Sequence, residues 1–141
     1  MQGVYQVKNP KKYKGNRPPF SRSSWELRFM QFCDNNPAIL EWVSEAIRIP
    51  YKNPITGKNS TYVPDFFIVY VDKNSKQHAE LIEVKPKSQT SLTEAKNGYD
   101  KAHAMVNAAK WKAAYAWAKQ QNVKFRIVTE DMIFNTGGKR R

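Results

Sequence analysis

Two carboxylates and one amine stand where β-strands of a folded core should carry no charge. Asp65 precedes the apolar run FFIVYV, and Glu83 and Lys85 close a second run, AELIEV. A charge in a strand core is strongly destabilising unless it is paired. A divalent cation is the simplest partner for two carboxylates. Mg²⁺ or Mn²⁺, which take one or two protein carboxylates and keep several waters, fit this donor set.

The two runs predict a β-hairpin, because the turn sequence DKNS at 72–75 separates them. In such a hairpin Asp65 and Glu83 lie near the same end of adjacent strands. Alternation puts Glu83 and Lys85 on one face and Val84 on the other, and the Val84 carbonyl is a candidate third oxygen ligand. Lys85, beside a metal, could orient or help deprotonate a water, or offset charge on a phosphate.

The same residues resemble a known motif. Pro64-Asp65, seventeen residues and then Glu83-Val84-Lys85 are similar to the PD-(D/E)XK signature of restriction-endonuclease-like nucleases. The flanking sequence, with SWE at 24–26 before it and KWKAA at 110–114 and FRIVTE at 125–130 after it, resembles the catalytic domain of Tn7-type transposon endonucleases. The opening stretch NPKKYKG at 9–15 is also similar to the head completion nucleases of T4-like tailed phages.

The resemblance implies an α/β fold with a restriction-endonuclease-like core, in which helices flank a central mixed β-sheet. It implies a DNA endonuclease in which Asp65 and Glu83 hold Mg²⁺ or Mn²⁺, Lys85 positions the attacking water and Glu26 assists. It also implies a phage-encoded protein in the cytoplasm of the infected host cell or in the virion. Capsid or portal components would then be partners in addition to DNA.

Glu26 has two interpretations. Ser23 and Glu26 have the spacing of a capping box, in which the glutamate accepts a backbone hydrogen bond and does no chemistry. The nucleases that this chain resembles place a metal-associated glutamate on the first helix. The two roles do not exclude each other. Glu45 is a reserve acidic candidate, with an edge charge as the simpler explanation.

The charge balance predicts a polyanionic partner. The 141 residues, enough for one domain, include 24 Lys and Arg against 12 Asp and Glu, a formal charge of +12. Such an excess repels itself without a partner, and nucleic acid is the first choice. A membrane is the rival, but no apolar run approaches the roughly 20 residues of a spanning helix, and no signal peptide opens the chain.

Three segments divide the chain. Residues 1–22 form a basic arm without acidic residues, which either lies over the domain or stays mobile. A nuclease domain is predicted over 23–134, and 135–141 form a basic tail. The predicted DNA-binding residues are Lys11, Lys12, Lys14, Arg17, Arg22, Lys87 and Lys112. The alternative for the arm is a solvated tail that only aids solubility.

Periodicity and turn signals predict the other elements. Helices are expected over 23–35, in a short turn at 38–42 and over 91–121, with strands at 45–51 and 123–129. The last strand, which follows a crossover helix, should run parallel to the strand before it. Trp111, Tyr115 and Trp117 are expected in the core rather than in a base-stacking surface. Cys33 is expected to be a buried thiol.

Two functions of different classes fit these observations. The first is the metal-dependent endonuclease. The second is a DNA-binding or virion-assembly protein with a nuclease-like fold and a structural acidic cluster. The complete set of Asp65, Glu83 and Lys85 favours the enzyme over this second role, and over simple pairing of the two acids with Lys85 and Lys87. Double-strand cleavage by so small a domain would be easiest for a homodimer, although the sequence marks no dimer surface.

Overall fold

A computed structural model of the chain describes residues 2–85 and 98–129, and the side chains of all of these except 98–100. The elements in chain order are β1 Gly3–Val4, β2 Phe20–Ser21, α1 Ser24–Asn35, β3 Ile39–Ser44, β4 Ile49–Lys52, β5 Asn59–Tyr62, β6 Phe66–Val71, β7 Gln77–Val84, α2 Gly98–Gln120 and β8 Lys124–Val128. Lys87, the start of the helix predicted over 91–121 and the C-terminal tail lie outside the described residues.

A four-stranded mixed sheet forms the centre of the molecule, in the order β3-β6-β7-β8. Strands β6 and β7 form the predicted antiparallel hairpin, and β8 pairs in parallel with β7. The parallel pairing follows from the connection, since a helix of 23 residues carries the chain back along the sheet before β8 begins. The predicted α/β fold with a central mixed sheet is confirmed.

Each face of the sheet has its own apolar core. Alternate residues of β6 and β7, including Phe66 and Ile82, pack with Phe29 of α1. Leu81 faces the other side, where it packs with Trp111 of α2. Because side chains alternate along a strand, Glu83 and Lys85 share the face of Leu81. The predicted site therefore lies on the α2 side of the sheet.

Most of the segment 38–42, predicted as a helical turn, belongs instead to strand β3, which begins at Ile39. Strand β3 pairs antiparallel with β6, and Ile39 and Trp42 are 4% and 1% exposed. The run ILEWV is rich in β-branched and aromatic side chains, which fit a pleated surface once β6 is available beside it. The helical prediction was wrong because pairing with β6 outweighs a short local pattern.

The strand predicted at 45–51 begins later than expected. Glu45 has a φ of 53°, in the left-handed region, so the chain bends there and pairs again only from Ile49. Strands β4 and β5 form a separate two-stranded hairpin, in which Pro50 faces Thr61. Ile49 and Tyr62 pack on the α2 side with Trp111. A proline is compatible with this position because β4 has only one neighbouring strand.

The N-terminal arm packs against the domain. Strands β1 and β2 pair with each other, and Tyr5 is 8% exposed within the core on the α1 side. Tyr13 forms a parallel bridge to Trp42, so the arm covers the outer edge of β3. An uncovered edge would offer unpaired backbone groups to other chains. Of the two alternatives for the arm, the structure shows the one in which it lies over the domain.

Two side-chain predictions have different outcomes. Cys33 is fully buried, and burial raises the pKa of its thiol well above the ordinary value, as expected for a structural cysteine. Trp111 is buried as predicted, but Tyr115 is 57% exposed. The prediction of a core position for Tyr115 was therefore wrong.

In the parts of the chain that the structure describes, no helix is long and apolar enough to cross a membrane.

Candidate active site

Asp65 joins the two central strands at the end where the candidate site lies. It precedes β6, and its Oδ2 accepts a 2.7 Å hydrogen bond from the backbone N–H of Val84, near the end of β7. Its carbonyl accepts a 2.9 Å bond from the N–H of Glu45. Pro64 before it is buried and lacks an N–H, which suits a residue entering a strand. Backbone contacts therefore fix the position of the Asp65 carboxylate.

Glu83 is the second carboxylate of the site and is 6% exposed. The Tyr62 hydroxyl donates a 2.7 Å hydrogen bond to Glu83 Oε1. The Lys85 ammonium lies 3.8 Å from Glu83 Oε2. The structure thus brings Asp65, Glu83 and Lys85 together at one end of the β6–β7 hairpin, as the spacing predicted.

The two carboxylates are electrostatically unfavourable as they stand. Burial raises the pKa of Asp65 well above its ordinary value, and the charges of Glu83 and Glu26 raise it further. Burial also raises the pKa of Glu83, although the Tyr62 hydroxyl and the Lys85 and Lys110 charges oppose it. These partners do not fully compensate the buried negative charge. A cation would relieve the remaining repulsion.

The donor chemistry fits a hard divalent ion. Mg²⁺ and Mn²⁺ take only one or two carboxylates from a protein and keep several waters, so the Asp65–Glu83 pair supplies the donors they need. Among the residues described, no group of three or more His, Cys, Asp or Glu side chains is assembled to hold a metal. The Val84 N–H donates to the Asp65 carboxylate. The role of the Val84 carbonyl as a metal ligand stays a prediction.

Glu26 lies at the start of its helix and interacts electrostatically with the carboxylate pair. Ser23 Oγ accepts from the Glu26 N–H at 3.2 Å, and Glu26 Oε1 accepts from the N–H of Arg22 at 2.9 Å. The Glu26 carboxylate therefore accepts from the residue before the N-cap. In a standard capping box it would accept from the N–H of the N-cap residue itself. Burial raises the pKa of Glu26, while the Arg22 N–H and the Lys85 charge lower it. Its charge raises the pKa of Asp65, so Glu26 lies within electrostatic range of that carboxylate, and its part in the site stays a prediction.

Glu45 forms an ion pair with Arg22. The Arg22 guanidinium contacts both of its carboxylate oxygens, at 3.0 and 3.1 Å. Because two hydrogen bonds form side by side, the relative orientation of Arg22 and Glu45 is better fixed than a single surface contact would fix it. The edge-charge interpretation of Glu45 accounts for this contact without a metal.

Glu80, further back on β7, has a structural environment. It is 5% exposed and accepts 2.9 Å and 2.7 Å hydrogen bonds from Arg126 Nε and from the Tyr70 hydroxyl. Because Glu80 and Ile82 alternate onto the α1 face, the Glu80 carboxylate is separated from the Asp65–Glu83 pair by the sheet.

Sequence reasoning missed Tyr62 and Lys110. Tyr62 ends β5, and its link to Glu83 arises only when the β4–β5 hairpin packs beside the central sheet. The Lys110 ammonium, placed by α2, lies 5.7 Å from the centre of the Tyr62 ring and lowers the pKa of Glu83. Lys110 opens the KWKAA stretch at 110–114, but nothing local in that stretch or around Tyr62 indicates contact with Glu83.

The predicted DNA-binding residues occupy three kinds of position. Five are exposed: Lys11, Lys14, Arg17, Arg22 and Lys112. Lys12 is half-buried, and its ammonium donates to the carbonyls of Asp34 at 3.1 Å and Asn36 at 2.8 Å. Lys87 lies outside the described residues. Contact of these residues with DNA stays a prediction.

A mixed sheet with paired carboxylates and a lysine at the end of two adjacent strands defines the nuclease class that the motif indicated. The family described as "TnsA-like endonuclease N terminal" matches residues 36–130, a range that includes Asp65, Glu83 and Lys85 but not Glu26. The chain belongs to this family, which confirms the resemblance seen in its sequence.

A relative extends the similarity to almost the whole chain. The head completion nuclease of Enterobacteria phage T4 is 36% identical over 148 aligned positions. The alignment covers 97% of this chain and 96% of that protein. The N-terminal arm and Glu26, which precede the family match, are therefore largely within a region that the relative shares.

Proposed function

We propose that this chain is a metal-dependent DNA endonuclease that hydrolyses phosphodiester bonds. Asp65 and Glu83 would hold Mg²⁺ or Mn²⁺, with the Val84 carbonyl as a further ligand. Lys85 would position the attacking water, and Glu26 would assist from the first helix. Family membership supports the reaction class, and the residues of the site support the assignment of roles.

One observation carries the proposal: Asp65, Glu83 and Lys85 converge at the same end of two adjacent strands. The 2.7 Å bond from the Val84 N–H sets the position of Asp65, and the 3.8 Å approach of Lys85 to Glu83 sets that of the amine. Two buried acids with raised pKa values destabilise the fold unless a cation binds. Such a cost is expected at a functional site rather than in a purely structural cluster.

Each residue has a defined task in this proposal. A bound divalent ion would lower the pKa of a water and neutralise charge on the scissile phosphate. Asp65 and Glu83 are held in place by Val84 and Tyr62, so they need little reorganisation on binding. The Lys85 ammonium can donate to a water or to a phosphate oxygen from its place beside Glu83. The excess of basic residues would retain the DNA through its phosphates, with little sequence preference.

The second candidate function is a role in completing the phage head. It is favoured by the 36% identity to a head completion nuclease. In this role the protein would be phage-encoded, act on DNA ends in the host cytoplasm or in the virion, and contact capsid or portal components. Nuclease activity and particle assembly are compatible, and a homodimer would suit cleavage of both strands.

Cleavage of supercoiled plasmid tests the enzyme. The wild type is incubated with Mg²⁺, with Mn²⁺ or with EDTA, beside Asp65→Asn and Lys85→Ala. We expect metal-dependent nicking or linearisation that each substitution reduces at least ~100-fold, since each removes a group acting at the reacting centre. Circular dichroism and DNA binding in EDTA establish that the variants remain folded.

Matched controls separate the site from general charge effects. Asp72→Asn and Lys76→Ala remove one acid and one amine from the β6–β7 turn, at the opposite end of the hairpin. Both should cut as the wild type does. If the wild type binds plasmid, branched and single-stranded DNA but cuts none of them with either metal, the assembly role becomes the better explanation.

A further inference from the structure

We propose that the β4–β5 hairpin, residues 48–62, is a ribbon that binds duplex DNA beside the active site. The inference rests on the proposed function for its choice of DNA as partner, and it adds a binding surface that the motif residues do not include. The ribbon would contact phosphates through Arg48, Lys52 and Lys58, and a groove of the duplex through Ile55 at its tip.

Charge is the first argument. Residues 46–64 contain three basic residues and no acid, and 101–120, which make up most of α2, also contain no acid. Arg48, Lys52 and Lys58 are all exposed. The ribbon packs on α2 through Ile49 and Trp111. The two packed segments therefore carry basic residues and no acid, which is the charge pattern of a nucleic-acid site.

The ribbon tip is exposed, apolar and well defined. Ile55 is 53% exposed at the tip. Asn53 Oδ1 accepts from the N–H groups of Ile55 and Thr56 at 2.8 and 3.2 Å, and the Asn53 carbonyl accepts from Gly57 at 2.8 Å. Gly57 has a φ of 74°, a conformation that favours glycine. These bonds hold Ile55 outward on a preorganised turn, which lowers the entropic cost of binding.

The base of the ribbon reaches the active site directly. Tyr62 ends β5 and donates to Glu83, and the Lys110 ammonium of α2 lies over the Tyr62 ring. The ribbon, α2 and Glu83 therefore lie on the same side of the central sheet. DNA held by the ribbon would run past the carboxylates rather than over the opposite face.

Duplex DNA fits this surface better than a single strand does. A two-stranded β-ribbon has the width of the major groove, and its flanking cations would meet the phosphates on the groove edges. Binding of a single strand depends on exposed aromatic platforms for base stacking. The exposed apolar side chain at the tip, Ile55, is aliphatic and suits contact with a groove.

Binding in EDTA tests the ribbon independently of cleavage. Fluorescence anisotropy with a labelled 20-base-pair duplex compares the full-length wild type with Arg48→Gln/Lys52→Gln/Lys58→Gln over a series of salt concentrations. We expect the triple variant to bind about tenfold or more weakly and to lose about 2–3 units of the salt slope, since each phosphate contact contributes about 0.9. Ile55→Ala should weaken binding about threefold and leave the salt slope unchanged, because it removes no charge.

The control is Lys73→Gln/Lys76→Gln/Lys124→Gln, which removes the same charge from exposed positions at the other end of the sheet. It should bind within about twofold of the wild type. Equal weakening by both triple variants, or none by the ribbon variant, would overturn the inference.

The same experiment distinguishes failure of the ribbon from failure of the nuclease. If the wild type cuts plasmid but the ribbon variant binds DNA as well as the control variant does, the ribbon proposal fails and the nuclease proposal stands. If the wild type cuts nothing but the ribbon variant still binds duplex DNA more weakly than the wild type, the ribbon proposal stands and the nuclease proposal fails. Absence of duplex binding by the wild type overturns the ribbon.

Discussion

The Tyr62 hydroxyl donates a 2.7 Å hydrogen bond to Oε1 of Glu83, and so connects the β4–β5 hairpin to the catalytic candidate on β7. Burial raises the pKa of Tyr62, and the negative charge of Glu83 raises it further, so the phenol keeps its proton. The same bond lowers the pKa of Glu83 against the effect of burial. Tyr62 therefore both orients the carboxylate and favours its ionised form.

Removing this hydroxyl should impair catalysis without unfolding the protein. We expect Tyr62→Phe to reduce the cleavage rate about tenfold and to shift the acidic limb of the pH–rate profile upward, because Glu83 loses the bond that lowers its pKa. Raising the Mg²⁺ concentration should partly restore activity, because the ion competes with protons for the Glu83 carboxylate. Initial rates of plasmid nicking between pH 5 and 9 measure both effects.

Tyr70→Phe is a matched control for that substitution. Tyr70 also donates a 2.7 Å bond to a β7 glutamate, Glu80, but at the structural cluster. Both variants should lose roughly 1 kcal/mol of stability, the typical net value of such a bond, whereas only Tyr62→Phe should change the pH profile. Identical profiles for the two variants would exclude a positioning role for Tyr62.

Sequence reasoning succeeded where the determinants are local. The β6–β7 hairpin followed from two apolar runs and one turn, and its register alone placed Asp65 near Glu83. The first helix followed from a cap at Ser23 and from helical spacing. These features depend on residues close in sequence, which is why they could be predicted without a structure.

The errors and omissions concern contacts between distant segments. Strand β3 was predicted as helix because its partner, β6, is more than twenty residues away. Tyr62 and Lys110 were missed because each meets Glu83 only after the hairpin and α2 have packed on the sheet. Asp34 gave no signal at all, since its partners come from an arm that composition alone could not place.

Asp65→Asn should stabilise the protein while removing its response to metal. The pKa of Asp65 is raised in the folded state, so ionised Asp65 destabilises the fold at neutral pH. Stability is therefore lost as the pH rises through the folded-state pKa. Asparagine is neutral and can still accept from Val84. In EDTA we expect its free energy of unfolding to exceed that of the wild type by about 1–2 kcal/mol.

Mg²⁺ should reverse that order. Ion at about 100 times its dissociation constant would stabilise the wild type by roughly 2.7 kcal/mol, and Asp65→Asn should show no rise in Tm. Asp72→Asn, at an exposed turn, should keep the response. Thermal unfolding with and without Mg²⁺ is the measurement. An equal Mg²⁺-dependent rise for Asp65→Asn would contradict Asp65 as a ligand.

Lys11 and Lys12 are adjacent in sequence but should act differently. The Lys12 ammonium donates to the carbonyls of Asp34 and Asn36 at the end of α1, whereas Lys11 is exposed. Lys12→Ala should lower the free energy of unfolding by about 1–2 kcal/mol, because it leaves helix-end carbonyls without this donor. Lys11→Ala should keep the stability and weaken DNA binding. Urea unfolding and anisotropy separate the effects, and equal stabilities would refute the distinction.

Asp34 should control the acid stability of the domain. It is fully buried and accepts from the Tyr5 hydroxyl at 2.6 Å and from the N–H groups of Lys8 and Asn9 at 2.7 and 3.0 Å. Burial raises the pKa of Asp34, but these bonds outweigh it, and the net pKa is lowered. Its contribution is therefore complete above the unfolded-state pKa of about 3.9 and is lost as the pH falls through the folded-state value.

Asp34→Asn should cost about 2–4 kcal/mol at pH 7, because its amide presents a donor to groups that already donate. Between pH 5 and 2 the variant should lose less stability than the wild type does, since it lacks the titrating group. Glu41→Gln, on the exposed side of β3, is the control and should follow the wild type. Urea unfolding across this pH range gives both quantities. Parallel pH dependence for Asp34→Asn and the wild type would mean that other carboxylates set the acid limit. The arm would then be held mainly by its apolar contacts, such as those of Tyr5 with the core, and not by the ionised aspartate.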